Sequence, residues 1–234
     1  MTDAHCHVSC GDPSVREFLV GRDFFGIHPW ETLEERETER VKRKVEGELR
    51  SNLLANPKAG VGEIGLDRLK VRDIPPLMRE VFESQLALAF ELRRPVVLHG
   101  AKCWGQVVSA VKRARTSGPG VAPASLSTAD CRLPTFLFHG FSRSDGLIPD
   151  IVALGGFISV GPAVLNDHAV NYRELVKKIP LDRLLVETDR TDGSIIHHSI
   201  YDVLAKTAEV IGVPAAELER IIDENADRFF GASL

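Results

Sequence analysis

Two histidines stand two residues apart in the opening segment MTDAHCHV. In an extended strand, residues i and i+2 point to the same face. His5 and His7 would then present two imidazoles to one point in space, while Cys6 points the other way. Paired imidazoles of this kind can bind a divalent metal ion. The alternative is that the segment is a solvent-exposed end, where histidine is tolerated and binds nothing.

Potential metal ligands also stand at the ends of other apolar segments along the chain. They are His28, Glu63, Asp67, His99, His139, Glu187 and Asp189. A single histidine at a strand end is more often a structural residue than a ligand, but here five of the 8 histidines occupy such positions. Imidazole with carboxylate suits Zn²⁺ or Mn²⁺ and tolerates Mg²⁺. Because these groups outnumber the ligands of one tetrahedral ion, they favour two divalent ions bridged by a carboxylate.

Short apolar or glycine-rich segments alternate with amphipathic ones. Strands are predicted at the opening segment and at 23–28, 59–67, 94–100, 135–141, 155–161 and 182–189, and helices at 32–54, 77–93, 104–117, 171–179, 199–212 and 214–231. This alternation predicts βαβ units and a parallel sheet. About seven strands are found, one short of a (β/α)₈ barrel, in which all strand carboxyl ends open on one face and would bring the candidate ligands together. The segment 117–134, rich in Gly, Pro, Ser and Ala, is predicted to be an inserted loop.

Composition narrows the class of protein. The chain has 234 residues, 44% of them hydrophobic and 26% charged, which predicts one globular domain over residues 1–234. The net charge of −4 argues against a broad basic surface for nucleic acid, without excluding a local basic patch. No membrane span or secretory signal is visible, and the 4 cysteines include no C-x-x-C pair. We therefore expect a reduced, cytoplasmic protein with no membrane association and no obligate protein partner.

Six short motifs follow one another in the chain. They are His5-Cys6-His7, Gly26-Ile27-His28-Pro29, Gly62-Glu63-Ile64-Gly65-Leu66-Asp67, Val97-Leu98-His99, His139-Gly140-Phe141 and Glu187-Thr188-Asp189. The same motifs in the same order are found in the TatD family of metal-dependent hydrolases, which this chain resembles. The segment Asn225–Phe230 is similar to that family's ending as well. GEIGLD and the ordered set together are highly specific, so the chain is identified as a member, in a shortened bacterial branch of the family.

The resemblance implies an α/β TIM-like barrel with a metal-dependent phosphodiesterase or related hydrolase site, deoxyribonuclease being the usual assignment. It implies that one ion is held by His5, His7, Glu63 and Asp189, and a second by Glu63, His99 and His139. Glu63 would bridge the two ions, and Asp189 would also orient or deprotonate the attacking water. The implied cofactors are two divalent ions, Mg²⁺, Mn²⁺ or Zn²⁺. The implied substrate is a nucleic acid, in particular DNA ends, or a small phosphodiester.

The chain departs from the family pattern in three places. The segment from His7 to Gly26 is short, so a barrel strand or helix is expected to be missing or reduced. Ala101 stands where many relatives have an arginine, and the following Lys102 could take over a phosphate contact. Arg190, directly after the Glu-Thr-Asp motif, could face the substrate or be a surface residue.

Two further alternatives stay open at this point. His28 could be a structural histidine, or it could contact a phosphate or leaving group from its place in the Gly-Ile-His-Pro motif. The same metals could also serve an amide or ester hydrolase of the deacylase kind, which the acidic net charge and the altered arginine position support. A metal-binding protein with little catalysis is a third hypothesis, against which the complete ligand set argues.

Overall fold

Eight parallel strands form the wall of an α/β TIM-like barrel in the computed structural model, which describes residues 1–34, 38–117, 133–192 and 198–231. The strands are β1 Thr2–Cys6, β2 Arg16–Leu19, β3 Phe24–Phe25, β4 Gly60–Asp67, β5 Val96–Ala101, β6 Phe136–Phe138, β7 Phe157–Val160 and β8 Leu184–Val186. Strands β3 to β8 pair in sequence order, and β1 pairs with β2. Such an order places every carboxyl end on one face of the barrel.

Backbone hydrogen bonds close the ring between the strand pair and the six-stranded sheet. On one side, the N–H of Asp189 donates to the carbonyl of His5 at 3.0 Å, and the N–H of His7 donates to the carbonyl of Arg190 at 2.8 Å. On the other side, a parallel bridge joins Val20 and Phe24. The end of β1 is therefore held against the end of β8, where several of the candidate ligands lie.

The prediction of about seven strands is wrong by one, because β2 was not recognised. This strand is short, and its first residues, Arg16 and Glu17, carry charges. What is absent is helical structure: residues 7–15 and 20–23, all of which the structure describes, contain no helix. Parallel strands are ordinarily joined by a dozen or more residues, usually including a helix. The expected reduction of the barrel is thus a loss of crossover helices, with the strand kept.

Helices cover the outside of the remaining strands. They are α1 Glu31–Glu34, α2 Thr38–Arg43, α3 Arg50–Ala55, α4 Pro76–Leu92, α5 Trp104–Ser117, α6 Ile148–Ala153, α7 Val170–Val176, α8 Ile200–Ile211 and α9 Ala215–Phe230. The predicted helix 32–54 includes residues 35–37, which lie outside the described residues, and a π-helical segment, Lys44–Leu49, separates α2 from α3. Most of the predicted loop 117–134, residues 118–132, also lies outside them.

The π-helical segment has a simple origin in the sequence. Val41, Val45, Leu49 and Leu53 are all buried and stand four residues apart. In a regular α-helix, each step of four residues turns the side chain by about 40° beyond a full turn. A wider turn between α2 and α3 removes that drift, so the four apolar side chains stay on the face that packs on the barrel.

Helix α9 covers the strands that lack crossover helices of their own. The ring of Phe230 stacks on that of Phe18 with an interplanar angle of 5°, and Phe229 lies against Phe24. The hydroxyl of Thr2 donates to Asp223 at 2.6 Å, so polar contacts also join α9 to β1. We call residues 2–25 (β1 to β3) the helix-poor sector and residues 60–186 (β4 to β8) the helix-rich sector. In the part of the chain described, no helix is long and apolar enough to cross a membrane.

Candidate metal centre

Glu63, in the middle of β4, lies at the centre of the site. Its side chain is 4% exposed. The Oε2 atom lies 3.5 Å from Nε2 of His5 and 3.5 Å from Nε2 of His7. The Oε1 atom lies 2.5 Å from Nε2 of His139 and also contacts Nδ1 of His99. Each oxygen of one carboxylate therefore faces a different pair of histidines.

Strand geometry explains how these histidines reach the same carboxylate. His5 lies in β1 and His7 follows its end, so residues two apart point to one face as the alternation predicts. His99 lies in β5 beside Gly65 of β4, whose φ is 156°. A Cβ atom at Gly65 would lie 1.9 Å from the carbonyl oxygen of His99. Glycine thus lets β4 and β5 approach closely enough to place His99 on Glu63.

Asp189 completes the half of the site formed by His5 and His7. Its Oδ1 atom lies 3.7 Å from Nε2 of His5 and 3.6 Å from Nε2 of His7, and its side chain is 46% exposed. The residue has a left-handed φ of 47°. Asp3 holds the preceding residue, because it accepts hydrogen bonds from the N–H of Thr188 at 3.0 Å and from its hydroxyl at 2.6 Å. Asp3 therefore joins β1 to the segment that carries Asp189.

Two buried carboxylates lie behind the other histidines, on the side away from Glu63. Oδ2 of Asp67 lies 2.9 Å from Nε2 of His99 and also accepts a hydrogen bond from the indole of Trp30 at 2.8 Å. Oε1 of Glu187 lies 3.5 Å from Nδ1 of His139. A carboxylate in this position fixes the ring and makes its other nitrogen a better metal ligand. The sequence marks Asp67 and Glu187 only as strand-end carboxylates, so it does not separate this supporting role from direct ligation.

The electrostatics of the site couple Glu63 to its histidines. Burial alone would raise the pKa of Glu63, but His139 and the other imidazoles hold it well below its ordinary value. Burial lowers the pKa of His139, yet Glu63 and Glu187 raise it well above the usual range. The nearby carboxylates of Asp189 and then Glu63 raise the pKa of His7 to about 9. The carboxylates of the site therefore favour the protonated form of His7 and His139 when no cation is bound.

The donor set fits a divalent ion better than a hydrogen-bond network. Both ring nitrogens of His5 are buried and have no hydrogen-bond partner among the described residues. The separations of 3.5–3.7 Å between its Nε2 and the oxygens of Glu63 and Asp189 exceed ordinary hydrogen-bond lengths. Two ligands of one tetrahedral ion, each about 2.1 Å from it, lie about 3.4 Å apart. A cation would therefore satisfy nitrogens that the protein leaves unpaired.

His28 lies at the edge of this arrangement. It follows β3, and its Nε2 atom lies 3.7 Å from Oε1 of Glu63. Its ring meets the ring of His99 edge to face at a centroid distance of 4.8 Å. Together, His28, Glu63 and His99 form a group whose ligand atoms lie within 4.8 Å of one another. The structure therefore brings His28 to the centre, as a group that can bind either an ion or a substrate oxygen.

A groove of about 610 Å³ opens beside the centre. His99, His139 and Asp189 line it, and so does Lys102, a residue that the sequence assigns to substrate. Arg143 lines the same groove. Sequence reasoning missed Arg143 because no strand or motif ends at that position; its place four residues after His139 was the only signal.

Arg190 is not brought into this groove with the other predicted site residues. Its side chain lines a separate cavity of about 240 Å³ together with Asp3 and Tyr201, and it donates a hydrogen bond to the carbonyl of His198 at 3.3 Å. Its own carbonyl accepts the hydrogen bond from His7 that closes the barrel. The observed contacts of Arg190 are thus with the protein, on the side of β1 and α8.

Comparison with known proteins identifies the family of this chain. The family model described as TatD related DNase matches residues 21–231. The chain belongs to the TatD-related DNase family. A TatD homologue from Escherichia coli K12, known from a crystal structure, superposes with a TM-score of 0.69 and 26% identity over 94% of this chain and 78% of that one. An uncharacterised amidohydrolase from Saccharomyces cerevisiae shares the fold, with a TM-score of 0.66 at 18% identity over 92% of this chain and 80% of that one.

Three relatives match this chain over a smaller share of its length. An uncharacterised metal-dependent hydrolase from Bacillus subtilis is 28% identical over 73% of this chain and 64% of its own length. One from Haemophilus influenzae is 33% identical over 73% of this chain and 63% of its length. A protein named 3′-5′ ssDNA/RNA exonuclease TatD, from Pectobacterium atrosepticum, is 28% identical over 73% of this chain and 65% of its length. The matches thus span a little under two thirds of these relatives.

Proposed function

We propose that this chain is a divalent-metal-dependent hydrolase of phosphodiester bonds, acting on nucleic acid or on small phosphodiesters. The observation that carries the proposal is the position of Glu63, whose two oxygens face separate pairs of histidines. A carboxylate shared in this way is suited to bridge two ions. Two such ions, about 3.5–4 Å apart, clamp the attacking and leaving oxygens of a displacement.

The residues divide into two ligand sets. His5, His7, Glu63 and Asp189 would hold one ion, and Glu63, His99 and His139 the other, with His28 beside the second set. Ions of Mg²⁺, Mn²⁺ or Zn²⁺ bound there would lower the pKa of a water molecule and neutralise the charge on phosphoryl oxygens. Asp67 and Glu187 would orient the imidazoles of the second set from behind.

Asp189 is the group best placed to move a proton. Its carboxylate is half-exposed and lines the groove. Burial alone would raise its pKa, but the imidazoles of His7, His139 and His5 hold that pKa below its ordinary value. It would accept a proton from the attacking water as the oxygen of that water bonds to phosphorus. The ester P–O bond would then break, the leaving oxygen would take up a proton from solvent, and Asp189 would release the proton it accepted. The products are a phosphate monoester and an alcohol. Lys102 and His28 would contact phosphate oxygens of the substrate.

The name of the Pectobacterium relative as a single-strand exonuclease supports a nucleic-acid substrate. The test is hydrolysis by the purified full chain with Mg²⁺, Mn²⁺ or Zn²⁺ of single-stranded DNA, RNA and bis(p-nitrophenyl) phosphate, beside a panel of carboxylic esters and amides. We expect cleavage of the phosphodiesters and its loss in Asp189→Asn with the fold retained. Turnover of esters or amides alone would show the deacylase-like alternative instead, and no turnover of either class would contradict hydrolysis.

A further inference from the structure

Two cations lie in the groove beside the candidate metal centre. Lys102 stands three residues after His99, and Arg143 stands four residues after His139. Both side chains are exposed, and within the described parts of the chain neither forms an ion pair or a side-chain hydrogen bond. Lys70, another cation that follows a strand, by contrast lies over the ring of Trp30 at 3.7 Å. Lys102 and Arg143 are thus available to a ligand in the groove.

The backbone at both positions is unusual. Lys102 has a φ of 58° and Arg143 a φ of 60°. Among the described non-glycine residues, four have positive φ, and three of these, Lys102, Arg143 and Asp189, line the groove. Residues with a side chain adopt this conformation at a cost, and such costs are concentrated at functional sites. Glycine would adopt it freely, so the presence of a long cationic side chain at each position points to a use for that side chain.

We propose that Lys102 and Arg143 form a cationic clamp that binds a phosphate adjacent to the scissile one. This inference rests on the proposed function. The scissile phosphate would face His99, His139 and Glu63, whereas the two cations come three and four residues after those histidines in the chain and line the groove beside them. The guanidinium of Arg143 offers paired donors to two phosphate oxygens, and the ammonium of Lys102 adds a compact charge. The clamp therefore selects substrates with at least two successive phosphates over single diesters.

The experiment measures kcat/KM for a short single-stranded oligodeoxynucleotide and for bis(p-nitrophenyl) phosphate, which has one phosphate. The variants are Arg143→Gly and Lys102→Gly, which keep the positive φ accessible while removing the charge. We expect the ratio of the two kcat/KM values to fall about tenfold in each variant, as for loss of one charged hydrogen-bonding group. Arg143→Lys, which restores the charge, should recover part of the ratio. Arg220→Ala, on the exposed face of α9, is the matched control and should leave the ratio unaltered.

A second measurement does not depend on turnover. Binding of the same oligodeoxynucleotide is followed by fluorescence anisotropy in EDTA over a series of salt concentrations. Each clamp variant should reduce the slope of log affinity against log salt by about 0.7, the value for one phosphate contact on a single strand. Replacing the linkage next to the scissile one by a neutral methylphosphonate should weaken binding to the wild-type chain and to Arg220→Ala, with little further loss in the clamp variants.

The outcomes separate the clamp from the proposed function. If phosphodiesters are cleaved but the ratio and the salt slope stay the same in both glycine variants, the clamp is wrong and the hydrolytic function stands. If both substrates lose activity equally, the cations contact the scissile phosphate and the clamp is again wrong. Reduced salt slopes in EDTA support the clamp, while absence of metal-dependent cleavage in the same preparation would count against the proposed function alone.

Discussion

The helix-poor and helix-rich sectors bring candidate metal ligands to one centre, although they are built differently. In the helix-rich sector, each pair of neighbouring strands is joined through a helix, as in a regular (β/α) barrel. In the helix-poor sector, β1, β2 and β3 follow one another through connections that contain no helix. Yet His5 and His7 from the first sector lie as close to Glu63 as the tetrahedral geometry of an ion requires.

The comparison separates two tasks of a barrel. The strands and their carboxyl ends position the ligands, and both sectors keep them. The outer helices bury the outward faces of the strands, and that task can be passed to another element. Here α9 performs it, with Phe229 and Phe230 packed on Phe24 and Phe18. The site therefore forms without two of the crossover helices of the regular fold, and it depends on α9 in their place.

The largest effect is expected from breaking the link between the sectors at Glu63. Glu63→Gln keeps the shape of the side chain but removes the charge that faces both pairs of histidines. We expect phosphodiester hydrolysis to fall by about 10²–10³-fold, since charge stabilisation at a reacting centre is worth this much. We also expect the metal content of the purified chain to drop. Glu83→Gln, on the exposed surface of α4, is the control. Full activity in Glu63→Gln would show that the two sets of histidines act separately.

The next effect concerns α9, which covers β1 to β3 in place of crossover helices. Phe229 is fully buried against Phe24, so Phe229→Ala leaves a cavity under the helix-poor sector. We expect the free energy of unfolding in urea to fall by about 3–5 kcal/mol. Val170→Ala, an exposed position on α7, is the comparison and should change it little. A loss of under about 1 kcal/mol would mean that β1 to β3 do not need α9 for their burial.

The helix-rich sector was largely predictable from the sequence, and the helix-poor sector was not. Segments such as 94–100 and 135–141 are apolar, β-branched or aromatic runs between amphipathic helices. The first coincides with β5 to within one residue at its end, and the second contains β6. Strand β2 escaped recognition because it has charged residues and no following helix. It is covered by α9, some 200 residues further along the chain. A pattern of neighbouring residues cannot predict a contact between segments so far apart in the sequence.

In the site, too, short motifs predicted some features, whereas others depend on contacts between residues far apart in the sequence. Motifs identified the groups that meet around Glu63, because each stands at the end of a strand. The roles of Asp67 and Asp3 depend on their contacts with His99 and Thr188. Only the fold brings these residues together. Likewise, the sequence could not tell that Arg190 lines a different cavity from Lys102, since both simply follow a strand.

Each sector has one buried carboxylate that contacts a candidate ligand or the residue next to one. These two carboxylates allow a matched pair of variants. Asp67 contacts His99 in the helix-rich sector, and Asp3 holds Thr188 at the junction with the helix-poor sector. We expect Asp67→Ala and Asp3→Ala each to lower metal affinity by about 10–100-fold, measured by calorimetric titration of the metal-free chain. Asp67→Asn and Asp3→Asn should recover part of this loss. Unchanged affinity in Asp3→Ala would restrict the supporting role to the helix-rich sector.

The smallest effect is a pH dependence that has opposite signs for stability and for metal binding. In the metal-free chain, the nearby carboxylates of Asp189 and Glu63 raise the pKa of His7 from 6.5 to about 9. The protonated imidazole therefore stabilises the folded state fully below pH about 6.5, and this contribution is lost as the pH rises through about 9. Metal binding displaces the same proton, so affinity should increase with pH up to about 9 and then level off.

These two signs can be measured on one preparation. Between pH 6.5 and 9, the Tm of the metal-free chain should fall, while the Tm gained on adding Mn²⁺ should grow. His7→Gln cannot titrate, so both slopes should be shallower in that variant, with the remaining slope due to His99 and His139, whose pKa values are also raised. If His7→Gln kept both slopes unchanged, proton and metal would compete only at the histidines of the helix-rich sector. The helix-poor sector would then place His5 and His7 beside Glu63 without adding a titrating charge to the centre.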